Sequence, residues 1–143
     1  MTYEELQVIT AVLESKPTRA LVDSDSNCSV VTLSLVKAVK KESKIKYAVI
    51  KAKTWNNDNA SFLGKVKLDF HIGNIKFKTE FLVASRLETN TGMRLGNDFL
   101  REAGCTLDYT PEKVTMHIKR GQIEIPLLYG RIKKVKNNVL RIY

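Results

Sequence analysis

The chain has 143 residues, of which 43% are hydrophobic and 27% are charged, and its formal net charge is +9. This length suits a single domain with a real hydrophobic core, and no apolar run approaches the ~20 residues that a membrane-spanning helix needs. The N-terminal segment "MTYEELQVIT" has acidic residues where a secretion signal carries basic ones, so we expect an intracellular protein, cytoplasmic or nuclear, with no membrane association.

The first third of the chain predicts strands that lead into one short helix. The segments "LQVITAVLES" and "RALVD" are apolar and rich in β-branched residues, which predicts two strands joined by a turn that carries Pro17. In "SNCSVVTLSLVKAVKK" the residues Val31, Leu35 and Val39 have nearly helical spacing, so we expect a short strand or turn followed by a short helix. The segment "KYAVIKAKTW" predicts a further strand, and "NNDNAS" predicts a polar loop tip.

The middle of the chain alternates between apolar and polar residues. The segment "GKVKLDFHIGNIKFKTEFLVAS" predicts a hairpin that turns at Gly73 and Asn74. Such alternation is typical of strands with one buried face and one exposed face. The predicted buried face consists of Val66, Leu68, Phe70, Ile72, Ile75, Phe77, Thr79 and Phe81, and the predicted exposed face includes Lys65, Lys67, Asp69 and His71.

The last third predicts one more helix and several short strands. The segment "RLETNTG" is read as a loop, and "MRLGNDFLREAG" predicts an apolar segment and then a short helix that begins after Gly96 and ends at Gly104. "CTLDYTPEKVTMHI" predicts two strands around a "TPEK" turn, and the C-terminal residues predict a hairpin with an Asn-Asn turn. The expected fold class is therefore mostly β, with two short helices.

The positive charge is concentrated in two segments. Residues 37–53 contain seven Lys and one Glu, and residues 131–143 contain five basic residues and no acidic one. This asymmetry is compatible with an anionic partner such as RNA, and equally with a solvated lysine-rich face. Ile132 and Val135 within the second segment favour a strand whose lysines protect an exposed edge.

The histidines and cysteines do not form a recognisable site. His71 and His117 lie in alternating strands, and together with Cys28 and Cys105 they lack the spacing of a zinc site. We therefore expect no metal and no cofactor, and we expect both cysteines to be reduced and packed. No G-x-S-x-G motif or Cys-His pair indicates a nucleophile.

Two carboxylates follow directly after a buried-looking strand in "ALVDSDSN". The apolar run ends at Asp23, which is followed by Ser24 and Asp25. One interpretation is that these polar residues merely cap a turn or the next helix, which suits Ser26 and Asn27. That interpretation suits Asp23 less well, because Asp23 ends an apolar run.

This stretch resembles the active-site segment of the retropepsin family, the single-domain aspartic proteases of retroviruses and LTR retrotransposons and their domesticated relatives. Residues 20–24, "ALVDS", are similar to the first five positions of the family pattern A-L-[IV]-D-[ST]-G. Further on, "RLGNDFLREAGCTLDY" is similar to the second family pattern, [IV]-L-G-x-D-[FW]-L, at Leu95, Gly96, Asp98, Phe99 and Leu100. The predicted hairpin between them resembles the family's middle hairpin, and the likeness covers most of residues 6–118.

The resemblance implies a closed β-barrel that works as a homodimer. Each chain would contribute Asp23 to a catalytic pair, and the Ser24 hydroxyl would bond across the dimer and stiffen the two loops. A hairpin called the flap would close over a bound peptide, and its counterpart here is "KAKTWNNDNASFLG", with Thr54, Trp55 and Asn56 near the tip. Trp55 would either grip the peptide or pack within the hairpin.

The same resemblance implies roles for the second motif and for the C-terminal segment. Leu95, Gly96 and Asp98 would be structural, with the Asp98 carboxylate near a helix start, where an acid is favourable. Residues 1–143 would form one domain with a core of about 6–118, and the basic C-terminal hairpin, 119–143, would extend the dimer interface.

Asp25 departs from the family pattern, which has glycine at that position. A side chain there would project toward water and peptide, and its charge would give the dimer four carboxylates instead of two. Three readings follow: a lapsed protease, a protease that works at low pH, or an Asp25 that points outward and binds a cation or a basic residue of the partner chain. We expect a catalytically impaired dimer that binds protein, peptide or RNA; the alternative is an active aspartic protease.

Overall fold

The structure, a computed structural model, describes residues 3–53, 59–87, 91–109, 114–119, 123–126, 128–134 and 140–142. Within these ranges the side chains are described for residues 7–52, 60–87, 91–108 and 115–119. Neither α-helix found there is long and apolar enough to cross a membrane.

The described ranges contain twelve strands and two short α-helices. The strands are β1 (Tyr3–Leu13), β2 (Lys16–Val22), β3 (Val30–Thr32), β4 (Lys46–Lys53), β5 (Asn59–Ile72), β6 (Ile75–Ala84), β7 (Met93–Leu95), β8 (Cys105–Tyr109), β9 (Val114–Ile118), β10 (Ile123–Pro126), β11 (Leu128–Lys134) and β12 (Leu140–Ile142). The helices are α1 (Leu33–Ala38) and α2 (Asn97–Glu102), and a 3-10 turn that the sequence did not predict spans Glu42–Lys44.

Six of the strands close into a barrel. They pair in the order β1, β2, β7, β3, β6 and β5, and the barrel closes where Val12 and Leu13 of β1 lie opposite His71 and Phe70 of β5. Strands β11 and β12 continue the sheet beyond β1, β4 continues it beyond β5, and β8, β9 and β10 form a separate three-stranded sheet. The prediction of a mostly β fold with a closed barrel and short helices is confirmed.

The barrel interior is filled by the residues that the alternating pattern predicted to be buried. On β5 and β6 the predicted inward residues are buried or nearly so, and the intervening lysines are exposed. The ring of Phe70 lies between those of Phe77, Phe81 and Phe99, with centroid distances of 5.2–5.8 Å. Burial of such a ring contributes about 2–3 kcal/mol, so Phe99 fixes α2 against the barrel.

The turn between β1 and β2 is not where the sequence suggested. The chain reverses at Glu14 and Ser15, whereas Pro17 lies within β2, opposite Val12. Glu14 has a positive φ of 56°; its backbone N–H donates to the Asp69 carbonyl at 2.8 Å, and its carboxylate accepts the Asp69 N–H at 3.1 Å. Contacts with β5, about 55 residues away in sequence, therefore place this turn.

The later elements follow the predicted order. The helix α2 ends just before Gly104, which has a positive φ of 63°, as helix-ending glycines commonly do. Strand β11 pairs with β1 of the same chain, and β12 pairs antiparallel with β11. Cys28 and Cys105 are both free thiols, and burial raises the pKa of the Cys105 thiol to about 11, so it is protonated at neutral pH.

The predicted flap residues Thr54, Trp55 and Asn56 lie outside the described residues. The strands on either side of them, β4 and β5, pair antiparallel up to Lys53 and Asn59. Asn59, Ala60 and Ser61, which were predicted to lie in a polar loop tip, belong to β5 instead. The flap, and the roles of Thr54, Trp55 and Asn56 in it, stay predictions.

Candidate functional site

The site is built where β7 inserts between β2 and β3. Strand β2 runs parallel to β7, while β3 runs antiparallel to it. Residues 23–28, the acid loop, leave the end of β2 and wrap around the end of β7 before β3 begins. The backbone N–H of Asp23 donates to the Leu95 carbonyl at 2.9 Å, which continues the strand pairing and fixes the Asp23 backbone at the rim of the barrel.

The Asp23 carboxylate is oriented by its own loop. Its Oδ1 atom accepts the backbone N–H of Asp25 at 3.1 Å, and the Asp23 carbonyl accepts the N–H of Ser26 at 3.2 Å. This is the turn that an aspartate forms with the backbone two residues later. Asp23 is half-buried, while Ser24 and Asp25 are exposed, so the carboxylate is held in place but remains accessible.

Asp25 fits this loop without backbone strain. Among the described residues, the non-glycine positions with positive φ are Glu14 and Lys40, so Asp25 needs no conformation that is reserved for glycine. Its backbone N–H holds the Asp23 carboxylate, and its side chain is exposed. An aspartate at this position is therefore compatible with the acid loop, to which it adds an exposed carboxylate.

The second motif holds the acid loop from the other side. Asn97 donates its side-chain amide to the Ser24 carbonyl and its backbone N–H to the Ser26 carbonyl, the latter at 2.7 Å. Gly96 makes this contact possible, because a Cβ atom at its position would lie 2.7 Å from the Cys28 carbonyl oxygen and 2.8 Å from that of Ser26. Gly96 and Asn97 thus bring the two motifs into direct contact.

Ser29 and Asp98 tie the exit of the acid loop to α2. Ser29 is 1% exposed, and its hydroxyl donates to Asp98 Oδ1 at 2.7 Å and accepts the Gly96 N–H at 3.0 Å. The Ser29 backbone N–H donates to Asp98 Oδ2 at 3.0 Å, and Asp98 Oδ1 also accepts the Phe99 N–H. Asp98 lies in the first turn of α2, whose N-cap is Gly96, and both of its oxygens are engaged.

Asn97 and Ser29 were not singled out from the sequence. Asn97 occupies the variable position of the second motif, so the pattern gave it no weight. Ser29 carries a hydroxyl directly before the apolar strand β3. A buried hydroxyl needs hydrogen-bond partners, so this position in the sequence could have indicated a structural role. Their partners are about 70 residues away in sequence, which is why local patterns did not reveal them.

Replacing Ser29 with alanine is expected to lower the free energy of unfolding by about 2–3 kcal/mol, because it removes the hydroxyl bonds to Asp98 and Gly96 and leaves a buried N–H without a partner. Urea unfolding followed by tryptophan fluorescence or circular dichroism measures the change. Ser85→Ala removes a hydroxyl from an exposed position and should change the stability by less than about 0.5 kcal/mol. Equal stabilities of the two variants would contradict the role assigned to Ser29.

Comparison with known proteins supports the fold. No protein-family model matches this sequence, and no curated protein is significantly similar to it. Among solved structures, the chain is similar to the retroviral protease-like domain of Ddi1 from Leishmania major, with 13% identity over 86% of this chain and 90% of that chain and a TM-score of 0.66.

Two further structures have the same architecture. One is EIAV protease in complex with the inhibitor HBY-793, with 18% identity over 71% of this chain and 91% of that chain and a TM-score of 0.53. The other is a retropepsin-like aspartic protease from Rickettsia conorii, with 14% identity over 91% of this chain and 93% of that chain and a TM-score of 0.53. At these identities the likeness concerns the fold, which is retropepsin-like.

Proposed function

We propose that this chain forms a homodimer of retroelement descent whose cleft binds extended peptides, and that Asp25 suppresses hydrolysis there. The observation that carries the proposal is the acid loop: both motifs fix Asp23 at the barrel rim, and the Asp25 side chain stands exposed beside it. In the proposed dimer the two copies of Asp23 meet, Ser24 bonds across the twofold axis, and the segment containing Thr54, Trp55 and Asn56 covers the peptide.

Charge is the reason to expect impaired chemistry. A pair of aspartates that hydrolyses a peptide shares one proton, with the ionised member acting as base toward water and the protonated member donating to the scissile carbonyl. Two copies of Asp25 add two more negative charges. In the described ranges no basic side chain forms an ion pair with Asp23 or Asp25, so the added charge raises proton uptake or pushes the loops apart.

The same charge predicts how dimerisation responds to pH. We expect the dimer to be tighter at pH 4.5 than at pH 7.5, and we expect Asp25→Asn to tighten the dimer about 10-fold at pH 7.5. The variant removes repulsion between like charges at the interface, and a 10-fold change corresponds to about 1.4 kcal/mol. Sedimentation velocity over a concentration series measures both effects.

A control and a contrary result complete this test. Glu80→Gln removes an exposed negative charge from β6 and should leave the dimerisation constant unchanged. A chain that stays monomeric at both pH values, with or without Asp25→Asn, would contradict the dimer and with it the shared site.

Retained proteolysis is the second candidate, and one observation favours it. The backbone N–H of Asp25 donates to the Asp23 carboxylate. The Asp23 backbone is bonded to the Leu95 carbonyl and to the Ser26 N–H, so Asp25 leaves the placement of Asp23 intact. An active aspartic protease would use one Asp23 from each chain as its acid and base.

The basic segments 37–53 and 131–143 would bind RNA or an acidic protein whether or not the dimer cleaves peptides. Residues 119–143 would extend the dimer interface.

A further inference from the structure

Arg94 stands on the same side of the sheet as Asp23. Its neighbours in β7, Met93 and Leu95, are both 0% exposed and belong to the barrel core, so alternation directs Arg94 to the opposite face of the strand. On β2 the core residue Val22 lies between Leu21 and Asp23, and these two therefore share that opposite face.

The strand register brings Arg94 close to the acid loop. The Cα atom of Arg94 lies opposite that of Leu21 on β2 and opposite that of Val30 on β3. Leu21 is two residues before Asp23, and the next residue of β7, Leu95, accepts the Asp23 backbone N–H. Arg94 is thus a diagonal neighbour of Asp23 across the β2–β7 pair, at a distance that a long side chain spans.

The residues directly across the strands from Arg94 are apolar, and its guanidinium forms no ion pair with a described side chain. Its cross-strand neighbours Leu21 and Val30 are 5% and 0% exposed. Its Nε atom is shielded from solvent and has no hydrogen-bond partner, and across the described side chains no carboxylate forms an ion pair with it. A buried donor without an acceptor is costly, which marks this position as one where an acceptor from outside the protomer would be stabilised.

We propose that Arg94 binds the carboxylate of an aspartate or glutamate in the peptide that occupies the site, so that this domain selects acidic peptides. The inference rests on the function proposed above. A guanidinium offers a planar fork of donors that matches a carboxylate, and a half-buried position strengthens that bond relative to an exposed lysine. The net charge of +9 attracts the same class of ligand from a distance.

The test uses the full chain with Asp23→Asn in every arm, so that bound peptides stay intact. A randomised library of fluorescein-labelled octapeptides is passed over this protein, and the retained sequences are read by mass spectrometry. Fluorescence anisotropy then measures the dissociation constants of the best acidic peptide and of the same peptide with Glu changed to Gln. We expect the Glu peptide to bind about 10- to 100-fold more tightly than the Gln peptide.

Arg94→Met should bring this ratio close to one. Arg94→Lys keeps the charge without the planar fork and should keep only part of the preference for the Glu peptide. Thermal unfolding checks that each variant is folded, and Arg94→Lys replaces Arg94→Met in the comparison if Arg94→Met does not fold. Arg19→Met is the matched control: Arg19 is exposed in the same strand as Leu21, roughly 13 Å along β2 from Asp23, and its loss should leave the ratio unchanged.

Each outcome decides between the inference and its premise. Peptides retained without preference for acidic residues, or with a preference that survives Arg94→Met, would overturn the role of Arg94 and leave the peptide-binding dimer standing. No retained peptide in any arm would overturn both proposals together.

Discussion

Replacing Gly96 with alanine is expected to destabilise the chain by about 3 kcal/mol, since it forces atoms into a closely packed junction. The new Cβ would lie 2.7 Å from the Cys28 carbonyl oxygen, 2.8 Å from that of Ser26 and 2.9 Å from the Cys28 carbonyl carbon. All three are backbone atoms, so no side-chain rotation relieves the contact. The Ser26 carbonyl already accepts the Asn97 N–H, and moving the acid loop away would break that bond as well.

A neighbouring glycine supplies the control. A Cβ at Gly92 would meet the Leu35 side chain, at 2.9 Å from its Cδ2 atom. The end of a side chain can shift, so Gly92→Ala should cost about 1 kcal/mol, the low end of the range for such insertions. Urea unfolding of both variants gives the comparison. If Gly96→Ala unfolds with the wild-type midpoint, the acid loop is free to move, and the rigid junction that we describe between the two motifs is wrong.

The barrel could be predicted because the sequence patterns that indicate it lie within short segments of the chain. Alternation along β5 and β6 identified the buried residues, and the spacing in "MRLGNDFLREAG" predicted a short helix that ends at Gly104. Two short patterns, around Asp23 and around Gly96, indicated the retropepsin-like fold that the solved structures share. Each of these signals lies within a few neighbouring residues.

The features that failed or were missed depend on distant contacts. Pro17 was expected to mark a turn, but the bonds between Glu14 and Asp69 place that turn earlier. Asn97 and Ser29 gain their partners only when the two motifs come together. The sequence places Arg94 in the apolar segment before Gly96. Its position diagonal to Asp23 follows from the register of β2, β7 and β3, which no local pattern contains.

Changing Asp25 to glycine is expected to raise peptide cleavage at pH 5–7 by at least about 100-fold, the contribution of a working acid–base pair at the low end of its usual range. The substitution introduces the glycine of the pattern that "ALVDS" resembles and removes two of the four negative charges from the proposed dimer site. Asp25 has no positive φ, so glycine costs the loop only about 0.5–1 kcal/mol in backbone entropy. Cleavage of a pooled peptide library, read by mass spectrometry, measures the gain.

Two further variants separate charge from bulk and confirm the source of the activity. Asp25→Asn keeps the side chain and removes the charge, so it should regain most of the activity if repulsion is the cause, and little of it if the side chain blocks the peptide. Adding Asp23→Asn to Asp25→Gly should abolish cleavage, because both carboxylates of the proposed Asp23 pair are replaced by amides, which cannot ionise. Wild-type protein that cleaves as fast as Asp25→Gly, and only with Asp23 present, would instead identify an active aspartic protease and overturn the suppressing role of Asp25.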